Sequence, residues 1–118
     1  MLSSFRDLQV WHKGVALVEV VYLSSEKWPR GEVYGLTSQV RRAAISIPSN
    51  IAEGKALGGL SYPRHLRIAL GSESELETQI ELAVRLKMLT ETEGAALLRQ
   101  TSEVGRMLAG LLKSLPKD

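Results

Sequence analysis

The stretch QVRRAAISIPSNIAEG, Gln39 to Gly54, keeps helical phase across a proline. Inside a helix, Pro48 has no N–H for the carbonyl of Ala44 and its ring crowds that carbonyl, at a cost of about 3 kcal/mol. At 100° per residue, Leu36, Val40, Ala43, Ala44, Ile47, Ile51 and Gly54 nevertheless hold one face straight through it. Two independent helices would have no reason to preserve that phase. The spacing therefore predicts one helix, from about Leu36 to Leu57, kinked at Pro48, with the Ser46 and Ser49 hydroxyls or a water serving the loosened turn. The alternative is a break, with Ser46 as the N-cap of a new helix. A single helix of this length spans roughly 30 Å and commits the chain to packing it against others of similar length.

The rest of the sequence supplies them. Helical spacing runs from about Asp7 to Glu26, with Val10, Leu17, Val21 and Ser24 on one line and Trp11, Val15, Val18 and Tyr22 on the next. KWPRGEVYG breaks it, and Gly58-Gly59 stops the second helix. A third is expected after Ser61 as N-cap, with Pro63 in its first turn, continuing to about Met88. TETE, Thr90 to Glu93, has capping-box spacing and opens a fourth, where Leu98, Thr101, Gly105, Leu108, Leu112 and Leu115 follow heptad spacing up to Pro116. Strand signals are nearly absent. The expected fold is all-α, an antiparallel up-down-up-down four-helix bundle in a single domain, residues 1–118.

Composition narrows the chemistry. The chain has no cysteine, which removes thiol catalysis and the common structural zinc sites and fits a reducing cytoplasm. No apolar run approaches the ~20 residues of a membrane span, and MLSSFRDLQVW lacks the plan of a signal peptide; a cytoplasmic protein without membrane partners is expected. Net charge is +2, with the excess in residues 1–60, a weak pointer to nucleic acid unless an oligomer gathers it on one surface. Gln9 and Tyr62 stand three residues before the two histidines, so the Glu-x-x-His pairs of a di-iron bundle are missing. GKALGG is not a phosphate loop. No cofactor or metal is expected.

Glu73 lies on the core line Leu66, Ala69, Glu73, Leu76, Ile80 and Val84, and is expected to pair with an arginine or sit near a helix end. Glu77 and Glu81 read as a solvated face. Arg6 and His12 have the Arg-x5-His spacing that some small helical RNases use with the histidine as acid/base, but the pattern is short and arises readily by chance.

The helices carry more apolar surface than one bundle stripe requires. Ile45, Pro48 and Ala52 form a second stripe on the second helix, and Ile68, Ser72, Glu75, Gln79, Leu82 and Leu86 a second line on the third. Aligned apolar strips outside a core mark partner surfaces. Trp11, Ile45, Pro48, Ala52, Ile68, Leu82 and Leu86 are accordingly the candidate residues of a subunit interface, and a homo-oligomer is expected. A polar and basic set surrounds the opening stretch: Arg41, Arg42, Ser46, Lys55, Arg64 and Arg67 are the candidate nucleic-acid contacts, since arginine with hydroxyls suits phosphate. The plainer reading is that they are solvated or paired within the chain.

DLQVW, YGLTSQVRRAAISIPSNIAEG and LRIALGSESELETQIELA closely resemble the 23S ribosomal RNA intervening-sequence proteins, with matching positions at Tyr34, Gly35, Leu36, Gln39, Arg41, Arg42, Ser46, Pro48, Asn50, Ile51, Ala52, Glu53 and Gly54, then Gly71, Ser72 and Glu75. These are small four-helix-bundle proteins encoded, in some bacteria, within insertions in ribosomal RNA genes. The family looks similar to the accessory protein of diversity-generating retroelements, a basic pentameric ring that binds nucleic acid and a reverse transcriptase. The resemblance implies a pentameric ring that binds RNA or DNA, or another protein, and it brings no catalytic residues. His65 stands where relatives often carry an aromatic residue, and Gly14 where alanine is usual. The expected function is non-enzymatic nucleic-acid binding through backbone contacts. The alternatives are a protein-interaction scaffold ring without a nucleic-acid role and, more remotely, a small RNase using Arg6 and His12.

Overall fold

The computed structural model describes residues 4–116, so the terminal residues 1–3 and 117–118 of the expected domain lie outside the described residues. A short 3-10 turn, Phe5–Asp7, precedes α1 (Gln9–Ser25), and a second, Arg30–Glu32, lies in the connection to α2 (Leu36–Leu57); α3 (Ser61–Arg85) and α4 (Glu91–Ser114) follow. Among the described residues there is no strand. Each helix packs on the next, α4 returns to α1, and the diagonal pairs make no close approach. The body measures 46 × 21 × 21 Å, so α3, about 37 Å long, must lie along its long axis.

Contacts across each pair climb one helix while descending the other, the sense that an up-down-up-down path requires. Gly14 meets Ile47 and Pro48 while Ser25 meets Arg41; Ser46 meets Ser72 while Gly54 meets His65. Glu73 meets Gly105 and Val84 meets Gly94 on the α3–α4 side. Lys13 pairs with Glu103 and Lys27 with Glu93 between α1 and α4.

Helix α2 runs unbroken from Leu36 to Leu57 through Pro48, which removes the alternative of a new helix capped by Ser46. Ser46 Oγ does not serve the loosened turn either. It bonds Ser72 Oγ at 2.8 Å and accepts from Asn50 Nδ2 at 3.0 Å. Val40, Ala43, Ala44, Ile47, Ile51 and Gly54 are buried as the phase requires.

Pro48 departs from expectation. Its phase points to the outer stripe, but it is buried inside the chain, against α1 at Gly14, where an added Cβ would lie 3.5 Å from Pro48 Cβ and Cδ. A bundle helix covers an arc facing two neighbours, so its buried face is wider than one line of residues. Gln79 is a second case: expected on the outer line of α3, it is buried. On α1 the buried hydroxyl is Ser25, donating to Val21 O at 2.8 Å, in place of Ser24.

The helix ends follow local chemistry. Gly58 and Gly59, at φ 70° and 54°, make a turn that other residues adopt only with strain. It closes tightly enough that Ser61 N–H reaches Gly58 O at 3.1 Å and Tyr62 N–H reaches Gly59 O at 3.4 Å. Those carbonyls satisfy the first free donors of α3, so Ser61 is its first residue rather than its cap, and Leu60 takes the cap position with no side-chain bond. At the other end α3 stops at Arg85, short of Met88. Lys87 takes φ 66°, and Met88 N–H to Ala83 O and Lys87 N–H to Val84 O complete a Schellman stop. The Thr90–Glu93 capping box forms as the sequence indicates, with Glu93 N–H on Thr90 Oγ1 at 3.1 Å and Thr90 N–H on Glu93 Oε1 at 2.9 Å. The Thr90 N–H bond holds the Glu93 carboxyl below its usual range, as hydrogen bonds to a charged form do.

Candidate nucleic-acid interface

The six residues expected to contact nucleic acid fall into two groups. Arg41 is engaged within the chain: Nε donates to Ser25 Oγ at 2.9 Å, Nη2 to Tyr22 O at 3.4 Å, and the guanidinium stacks 4.4 Å from the Tyr22 ring centroid. It closes the C-terminal turn of α1, where carbonyls lack intrahelical partners and a positive charge is favourable. Arg41, expected as a nucleic-acid contact, thus has partners within the chain. On a helix it points about 100° from Arg42, and that turn faces α1. Lys55 Nζ lies 5.3 Å from the Tyr62 ring centroid. Arg42, Arg64 and Arg67 are exposed and, among the described residues, make no ion pair or hydrogen bond.

Ser46 belongs to a polar cleft of about 320 Å³ between α2 and α3, lined by Gln39, Arg42, Ala43, Ser46, Ser72 and Glu75. Asn50 Nδ2 backs it, donating to Ser46 O at 2.8 Å and Ser46 Oγ at 3.0 Å. The helical phase of α2 places Arg42 and Ser46 together. Gln39, three residues before Arg42 on the same helix, shares that face, whereas Ser72 and Glu75, on the second line of α3, join Arg42 only through the register between two helices.

Glu73 is buried, 3% exposed, as its phase indicates, but no arginine meets it. It faces α4 at Gly105, where a Cβ would fall 2.7 Å from its Cδ and Oε1. Burial first, and then the neighbouring Glu77 carboxyl, push its pKa up to about 8, so it is mostly protonated at neutral pH. The expectation of an ion pair is thus replaced by a neutral acid seated on a glycine.

Arg6 and His12 are joined through the main chain: His12 Nε2 donates to Arg6 O at 2.7 Å, while the Arg6 guanidinium sits 4.6 Å from the Phe5 ring centroid. The pair ties the segment before α1 onto that helix, and the ring nitrogen nearest Arg6 is already used. His65 bonds Ser61 O through Nδ1 at 2.8 Å and approaches Glu53 at 3.5 Å through Nε2. Among the described residues no three His, Asp or Glu side chains are grouped to hold a metal ion.

Of the expected interface residues, Ile45, Ile68, Leu82 and Leu86 are exposed, Trp11 and Ala52 half-buried, and Pro48 buried. Trp11, Val15, Val18, Ile45, Pro48 and Ala52 line an apolar groove of about 450 Å³ between α1 and α2, with Arg6 and Glu19 also on its walls. Tyr34, 96% exposed in the α1–α2 connection, is an apolar surface residue that no helical line in the sequence signals. No helix among the described residues is long and apolar enough to cross a membrane.

The family model described as 23S rRNA-intervening sequence protein matches residues 6–110. A crystal structure of a protein with unknown function from the S23 ribosomal protein family of Bacteroides thetaiotaomicron VPI-5482 is similar at TM-score 0.80 and 23% sequence identity, covering 89% of this chain and 96% of that one. That likeness shows the fold. No curated protein matches the chain.

Proposed function

The chain belongs to the 23S rRNA-intervening sequence protein family, and from that premise we propose that it is a non-catalytic, self-assembling cytoplasmic bundle that binds RNA, or DNA, through phosphate contacts. The observation that carries this reading is the pair Arg64 and Arg67, exposed cations on α3 with no carboxylate partner among the described residues. An unpaired guanidinium keeps its five donors available for phosphate oxygens. A net charge of +2 gives one subunit little reach. Assembly supplies the rest: a ring, pentameric by family likeness, repeats the arginine surface around its axis.

The exposed Ile45, Ile68, Leu82 and Leu86 support assembly, since each large apolar residue covered contributes about 1.5–3 kcal/mol. Leu82→Glu should split the assembly in sedimentation, because a charge there adds a desolvation cost; a wild-type monomer at micromolar concentration would refute assembly. The apolar α1–α2 groove supports the second reading, a scaffold that engages another polypeptide. Mobility-shift titrations at increasing salt separate the two. Binding that weakens with salt supports phosphate contact, and no binding at low salt leaves the scaffold.

A further inference from the structure

We infer that the cleft between α2 and α3 is a base-reading site for an unpaired guanine. The inference deepens the nucleic-acid reading and rests on it for the strand that would carry the base. Arg42 and Glu75 line the same cleft, yet neither takes part in an ion pair among the described residues. Both charges therefore remain available to a ligand. A phosphate has acceptors only, and Glu75, itself acceptor-only when ionised, opposes one seated there. The wall chemistry calls for a group with acceptors on one edge and donors on another.

The cleft wall adds a third polar element. The Ser46 and Ser72 hydroxyls share one bond of 2.8 Å, and Asn50 donates to Ser46 from behind. Two hydroxyl protons serve one hydroxyl–hydroxyl bond, so one is left over to donate to a ligand. Arginine's fork matches two adjacent acceptors, and guanine offers O6 and N7. A carboxylate matches two adjacent donors, and the guanine Watson–Crick edge offers N1–H and N2–H. Adenine and cytosine present single amino donors, and uracil a single imino N–H, so guanine alone fills both forks. In duplexes that edge is already paired, so the site takes a single-stranded or bulged base.

The surroundings suit a strand. Arg64 lies about 16 Å from Glu75 along α3, the rise of about five stacked nucleotides. Between them Gly71 is exposed, with nothing within 4 Å of where its Cβ would be. Gly71 thus presents no side chain to phosphates leaving the cleft toward Arg64 and Arg67.

The test compares, by fluorescence anisotropy, a short oligouridylate with the same oligomer carrying one central guanosine, inosine or adenosine. Guanosine should tighten binding about tenfold, inosine, which lacks N2–H, distinctly less, and adenosine not at all. Glu75→Gln should bring the guanosine-to-uridine affinity ratio close to one. Equal affinity for all four oligomers, or a guanosine preference that survives Glu75→Gln, would overturn the base site while leaving phosphate binding intact. A second arm needs no strand: free guanosine, followed by amide NMR shifts, should perturb residues 39–46 and 72–75 more than inosine does. Absence of guanosine shifts there would also overturn the base site, whereas shifts without oligouridylate binding would retain it and reject the phosphate reading.

Discussion

Glu73 and Glu75 are the same residue type two positions apart on α3, turned about 200° from each other, and the bundle makes opposite use of them. Glu73 faces α4, buried on Gly105, and is held mostly protonated. Glu75 faces α2, exposed at a polar cleft with Arg42. One side of α3 is a dry seam in which a charge is a liability, the other a wetted surface on which charge is available to a ligand. A carboxylate's role is thus set by the helix it faces, not by its type or its neighbours in sequence.

The largest expected effect probes how closely the α2 side is packed. A Cβ at Gly54 would lie 2.7 Å from His65 Cβ and 3.2 Å from Tyr62 O, and neither atom can move without the backbone. Gly54→Ala should therefore cost about 3 kcal/mol in urea unfolding, the upper end of overpacking effects. On the dry side, Gly105→Ala meets the end of the Glu73 side chain, so its cost should shrink in a Glu73→Ala background, a coupling that a double-mutant cycle reads directly.

Glu73 itself should make stability depend on pH. Below its ordinary value of 4.5 the carboxyl is protonated in folded and unfolded chains alike; between 4.5 and about 8 the unfolded chain releases the proton while the fold retains it. Stability attributable to Glu73 therefore falls as pH rises through that window and levels off above it. Glu73→Gln should flatten this dependence and raise stability at pH 9 by about 2 kcal/mol, the cost of a buried, poorly satisfied charge. An equally steep profile in the variant would mean that Glu73 is not the group responsible. The smallest effect belongs to Glu75→Gln, expected within about 0.5 kcal/mol of wild type, as for other exposed substitutions. A larger loss would erase the contrast between the two sides.

These two glutamates also mark how far the sequence can be read. The burial of Glu73 follows from helical phase, as do the span of α2 across Pro48 and the Thr90–Glu93 box, because each depends on residues within a few turns of one another. Its partner does not, because that depends on which residue of α4 stands opposite. Pro48, Gln79 and Arg41 escape the sequence for a related reason: phase gives a residue's direction but not which neighbouring helix covers it. In the cleft, Gln39, Arg42 and Ser46 are legible from α2 alone, whereas Ser72 and Glu75 join them only once α2 and α3 are in register.

Whether the unpaired arginines on α3 hold phosphates is decided by the salt dependence of RNA binding. With log K plotted against log salt for an unstructured single strand, the variant carrying Arg64→Ala and Arg67→Ala should show a slope shallower by about 1.4 units per subunit engaged, at ~0.7 for each phosphate no longer held. The sedimentation behaviour should match that of the wild type. An unchanged slope in an intact assembly would mean that these arginines hold no phosphate.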